Sequence, residues 1–153
     1  MTVADLTAFV VRAKRATYVG NGVVSASSRS GSHDLIYDED RWSYRDIYFG
    51  GTDFLGQETV WHDDGPVWAM NYYGYILRPD LIDATRAGLT IKAALAAMYS
   101  EDRFLGGFEW AGPHGRYVDQ STGDVAHFHG QESILVDEIR AYALDYFGGL
   151  IKP

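Results

Sequence analysis

Val3, Leu6, Phe9, Val10 and Ala13 recur at helical spacing near the start of the chain, which predicts a helix over residues 2–15. Thr2 and Asp5 approximate a capping box at its beginning, and Arg12, Lys14 and Arg15 sit at the end where a helix dipole favours cations. A loop follows from Gly20 to His33, crowded with Ser25, Ser27, Ser28, Ser30 and Ser32, in which Val23 and Val24 allow a short strand before the serines.

From there the period shortens to that of strands. Segments 35–37 and 42–49 flank the acidic turn Asp38-Glu39-Asp40, and 57–62 pairs with 67–76 across Asp63-Asp64-Gly65-Pro66. If that turn closes symmetrically, Trp61 lies opposite Trp68, Thr59 opposite Met70 and Glu58 opposite Asn71. One face then carries Trp61, Trp68, Met70 and Tyr72, and the other Glu58, His62, Asn71, Tyr73 and Tyr75. Arg78-Pro79-Asp80 breaks the pattern before a second helix over 89–99, whose apolar stripe is Ile91, Ala94, Leu95 and Met98. Short strands return at 107–110, 116–119, 124–129 and 133–146, with turns at 112–113 and 121–124. The tetrapeptide Tyr-Phe-Gly-Gly closes two of these stretches, at 48–51 and 146–149, and suits strand ends where another backbone comes close.

The pattern predicts an α+β fold: an antiparallel, meander-like sheet of about six to eight short strands, packed with the N-terminal helix and the helix near 89–99. At 153 residues and 46% hydrophobic the chain suits one domain over 1–153. Twenty-one acidic against thirteen basic residues give a formal charge of −8, which disfavours direct nucleic-acid binding. With no cysteine, thiolate chemistry is excluded. Neither a signal peptide nor an apolar run of membrane-spanning length is present, so a cytoplasmic protein without membrane association is expected.

Four ordered blocks, at 28–34, 48–51, 67–74 and 146–151, together resemble the bacterial domain-of-unknown-function family 5680. Members of that family often follow an XRE-type helix-turn-helix in transcriptional regulators, which implies an effector-sensing or oligomerising role. This chain begins at Met1 with the domain itself, so a regulatory role would need a partner to supply DNA contact. The resemblance transfers no catalytic residues.

The candidate chemistry is sparse. His127 and His129 share a strand face at a spacing that suits chelation, but a third ligand is undefined among His33, Asp34, Glu109, His114 and Glu132, so no metal is expected. His33 beside Asp34 suggests an acid/base pair, although adjacent strand residues point to opposite faces. Arg29 within the serine cluster offers a weak anion site. No nucleophile elbow, dinucleotide fingerprint or phosphate loop occurs, so no cofactor is expected.

Eleven tyrosines and four tryptophans are many for a small core, because each buried phenol or indole needs a partner. That surplus, with the hairpin face, favours a small-molecule-binding domain acting as a monomer or homodimer, in which Arg29, His62, Asn71, Tyr75, His127 and His129 contact ligand. The alternative is a cofactor-independent acid/base enzyme, a lyase, isomerase or cyclase, with Glu58, His33 or His129 as base and Tyr73 or Tyr75 as donor. A protein-interaction domain would use the same aromatics without a pocket.

Overall fold

Helix α1 spans Val3–Lys14 and is closed at its start by the expected capping box: Asp5 N–H donates to Thr2 Oγ1 at 3.1 Å, and Thr2 N–H to Asp5 Oδ2 at 2.9 Å. The helix runs on as one π-helical turn, Arg15–Val19, in which Thr17 Oγ1 donates to the Ala13 carbonyl at 2.8 Å. The computed structural model describes residues 1–20 and 23–152; Asn21 and Gly22, within the expected serine-bearing loop, and Pro153 lie outside them.

The strands are β1 Val23–Ser25, β2 His33–Glu39, β3 Trp42–Gly50, β4 Phe54–His62 and β5 Gly65–Ile76, then β6 Phe108–Gly112, β7 Gly115–Asp124, β8 His127–Val136 and β9 Ile139–Leu150. Helix α2, Ala84–Tyr99, stands between the two groups. It starts five residues earlier than expected, because Asp83 accepts from the Arg86 N–H at 2.8 Å and this cap carries the helix through Gly88, whose low propensity hid the first turn.

Among the described residues nine strands form one antiparallel sheet in the order β1-β2-β3-β4-β5-β9-β8-β7-β6, more strands than the six to eight expected. The expected strand 133–146 straddles a turn at Asp137-Glu138, where both residues take positive φ of 50° and 60°. Such φ values usually mark Gly or Asn, so composition gave no warning. The β4–β5 hairpin turns the same way on Asp63 and Asp64, at φ 51° and 64°.

That turn, with a bulge between Val60 and Trp61, corrects the expected hairpin register. Glu58 lies opposite Met70, Gln57 opposite Asn71 and Val60 opposite Trp68. A one-residue slip moves every side chain of a strand to the other face, so Glu58 joins Met70 and Tyr72 rather than Asn71 and Tyr73.

Both helices pack on one face of the sheet. Phe9 of α1 stacks on Trp42 at 5.0 Å, and Leu6, Phe9, Ile91, Ala94 and Met98 are buried with Trp68, Phe128 and Tyr142 in one core. The Trp68 indole donates to the Val125 carbonyl at 3.0 Å, satisfying its polar edge.

Helix and four-strand meander occur twice, as α1 with β2–β5 and α2 with β6–β9, and the two meanders meet along the β5·β9 pair. The chain repeats with them. Gly56-Gln57-Glu58 recurs as Gly130-Gln131-Glu132, and Tyr72-Tyr73-Gly74 as Tyr146-Phe147-Gly148, at one constant offset. The two Tyr-Phe-Gly-Gly tetrapeptides are therefore not each other's counterparts. The first ends β3 at Gly50, with φ 94°, whereas the second lies inside β9.

Candidate functional site

The repeat builds the same cross-strand unit on each half of the sheet. Tyr72 on β5 lies over Gly56 on β4, where a Cβ would overlap its phenol, and donates to Asp46 Oδ1 on β3 at 2.6 Å. Tyr146 on β9 lies over Gly130 on β8 in the same manner and donates to Asp119 Oδ1 on β7 at 2.7 Å. Each glycine opens a lane for the tyrosine, and each aspartate faces a glutamate on the next strand, Asp46 opposite Glu58 and Asp119 opposite Glu132.

Between this face and the helices lies a cavity of about 320 Å³, within the size range of small-molecule sites. Its aromatic wall comes from Tyr44, Tyr48, Tyr72, Tyr99 and Tyr142, with Tyr18 of the π-helical turn contributing as well. Ile91 and Leu95 of α2 line it beside Gly88, and its charged groups are Lys14, Asp46, Glu58 and Glu132. These four retain only 5%, 5%, 6% and 9% of their exposure.

The charges are not balanced. Lys14 Nζ sits 2.7 Å from Glu58 Oε1 and 2.6 Å from Oε2, beside Met70 Sδ and 5.4 Å from the Phe104 ring centre. No cation of this chain plays that part for Asp46 or Glu132 among the described residues. Burial, followed by the charge of Glu58, pushes the Asp46 carboxyl up to about 7, against the hydrogen bond from Tyr72 and the charge of Lys14. Burial, followed by the charge of Asp119, pushes Glu132 up to about 8, against Tyr117 and Lys14. Asp119 is raised by burial and held back by Tyr146. Glu132 Oε2 and the Tyr142 phenol oxygen are buried with no hydrogen-bond partner among the described residues.

The residues singled out from the sequence are dispersed. Glu58 lines the cavity. Asn71 accepts from Gln57 Nε2 at 2.9 Å on the opposite face, where Tyr73 and Tyr75 stack on each other at 5.3 Å. His33 stacks on Tyr48 at 4.9 Å but is exposed, and Asp34 is instead bound by Ser28 N–H at 3.0 Å and Ser32 Oγ at 2.6 Å. His62 contacts Asp63 and the edge of Trp42. Arg29, His127 and His129 are exposed. No three His, Asp or Glu side chains come together as a metal-ligand set among the described residues.

Asp46, Glu132, Lys14 and Tyr72 went unnoticed as a site. The signal available in the sequence was the doubled Gly-Gln-Glu, together with its downstream tyrosine-glycine partner.

The profile of the family described as Domain of unknown function (DUF5680) matches residues 46–151, and the chain belongs to that family. The match runs from Asp46 of the first unit through the whole of the second. Comparison with curated proteins and with solved structures returns no match. Among the described residues no helix is long and apolar enough to cross a membrane.

Proposed function

We propose that this is a small-molecule-binding domain of the effector-sensing type, with its ligand seated in the inner-face cavity rather than on the hairpin face suggested by the sequence. The observation that carries this reading is a 320 Å³ cavity lined by tyrosines and by buried carboxyls, one of which, Glu132, keeps an unpartnered oxygen. A protein gains nothing in stability from an unpaired polar atom in its interior, whereas a ligand that pairs with it gains both affinity and orientation. The resemblance to domains that follow an XRE-type helix-turn-helix in bacterial regulators accords with sensing. On this reading the chain is cytoplasmic, works as a monomer or homodimer, and touches neither DNA nor membrane itself.

The test is titration with neutral 4-phenylbutanol followed by amide NMR. Saturable shifts at Tyr72, Leu95 and Tyr142, lost in Gly88→Leu, are expected, because Gly88 lines the cavity with open space around the position of a Cβ. Shifts centred on Tyr73 and Phe147 of the outer face, or none with the alcohol and with amine and carboxylate probes of the same shape, would overturn the reading.

The facing carboxyl pairs Asp46–Glu58 and Asp119–Glu132 favour acid/base catalysis as a second reading, because burial raises Asp46 to about 7 and Glu132 to about 8, where each can exchange a proton near neutral pH. Under it, Glu132→Gln abolishes turnover of a substrate while its affinity survives; in a sensor only affinity responds.

A further inference from the structure

Helices α1 and α2 open the two halves of the repeat and can be aligned from their N-caps, Thr2 and Asp83. In that alignment Tyr18 corresponds to Tyr99 and Lys14 to Leu95, and all four residues line the cavity. The two halves thus present the same glutamate on the sheet, but only the first provides an ammonium group to meet it. Glu58 has Lys14. Glu132 lines the same cavity as Leu95, has the Tyr117 phenol beside it but no cation among the described residues, and keeps an unpartnered Oε2.

We infer that the cavity takes a protonated organic amine with an apolar body, whose ammonium group stands to Glu132 as Lys14 stands to Glu58. This inference rests on the cavity being the binding site. The phenol walls suit the choice, because aromatic faces attract cations and accommodate the apolar part of the same molecule. An anionic ligand is disfavoured. Lys14 in the cavity is already engaged by Glu58, and at pH 8, where Asp46 is ionised and Glu132 partly so, a further negative charge is repelled. A bare metal ion is disfavoured because no three ligating side chains converge among the described residues.

The test uses three probes of one shape and different charge: 4-phenylbutylamine, 4-phenylbutanol and 4-phenylbutyrate, titrated calorimetrically at pH 8. The amine is expected to bind at least about tenfold more tightly than the alcohol, and the carboxylate not detectably. Glu132→Gln should remove the advantage of the amine while leaving alcohol binding within about twofold. Leu95→Lys should also abolish amine binding by supplying an internal ammonium, and Leu95→Met, of similar volume, should not. Equal affinity for amine and alcohol, or preference for the carboxylate, overturns the amine assignment and leaves the cavity as a site. Failure of all three probes to bind at millimolar concentration overturns the cavity reading, and the amine with it. If Glu132→Gln does not fold, the Leu95→Lys and Leu95→Met pair decides alone.

Discussion

Lys14 donates to Glu58 Oε1 at 2.7 Å, and both residues are buried between helix α1 and strand β4. Removing one partner of such a pair leaves a charge uncompensated in the interior, which costs about 3–5 kcal/mol. Lys14→Met is therefore expected to lower stability by that order in urea unfolding. Adding Glu58→Gln should recover a large part of the loss, because the orphaned charge is then gone. Equal stability of Lys14→Met and the parent would contradict a compensating role for Lys14.

Tyr72 and Tyr146 depend on the glycines beneath them. Gly56→Ala and Gly130→Ala place a methyl group against the respective phenol and should destabilise by about 1–3 kcal/mol. Gly51→Ala, with nothing within 4 Å of a Cβ, serves as the control and should be nearly neutral. Thermal unfolding of the three variants checks this. Equal effects at Gly51 and Gly56 would mean that the lanes are not needed.

The buried carboxyls predict how stability changes with pH. Asp46 and Glu132 hold their protons up to about 7 and about 8 in the folded chain, whereas the unfolded chain releases them near the usual carboxylate range. Between these limits the folded state binds more protons, so stability falls as pH rises from about 5 to 8, by up to about 1.4 kcal/mol per pH unit for each group. The groups acting on them are Lys14, Glu58 and Asp119, with Asp34 on Asp46 and the phenols of Tyr72 and Tyr117. Asp34, held low by Ser28 and Ser32, works in the opposite sense and loses its contribution only in acid. Urea unfolding across this range should show the decline in the parent and a flatter profile in Asp46→Asn/Glu132→Gln.

Period and capping made much of this fold legible. The capping box of Thr2 and Asp5, the helical stripe ending at Tyr99 and the alternation of most strands follow from local sequence, and local sequence suffices where neighbouring residues set the geometry. The hairpin face of Glu58 was misread because a bulge at Val60 and Trp61 and a two-residue acidic turn left no compositional mark, and a slip of one residue exchanges the faces. The site itself joins residues from α1, the π-helical turn, β2, β3, β4, β5, α2, β8 and β9, and no local pattern could assemble it. Only the recurrence of Gly-Gln-Glu, with tyrosine-glycine downstream, pointed there. The more conspicuous repeat, Tyr-Phe-Gly-Gly, matched segments that the fold does not make equivalent.

The measurement that tests the account most directly is a carbon-13 NMR titration of the Asp46 and Glu132 side-chain carboxyls, in the free protein and with saturating 4-phenylbutylamine. Midpoints near 7 and 8 are predicted for the free protein, with Glu132 moving down when the amine is bound because an ammonium group favours the ionised carboxylate. Midpoints near the ordinary value of about 4 in the free protein, or a Glu132 midpoint unchanged by saturating amine, would contradict a cavity whose unpaired carboxyl awaits a cation.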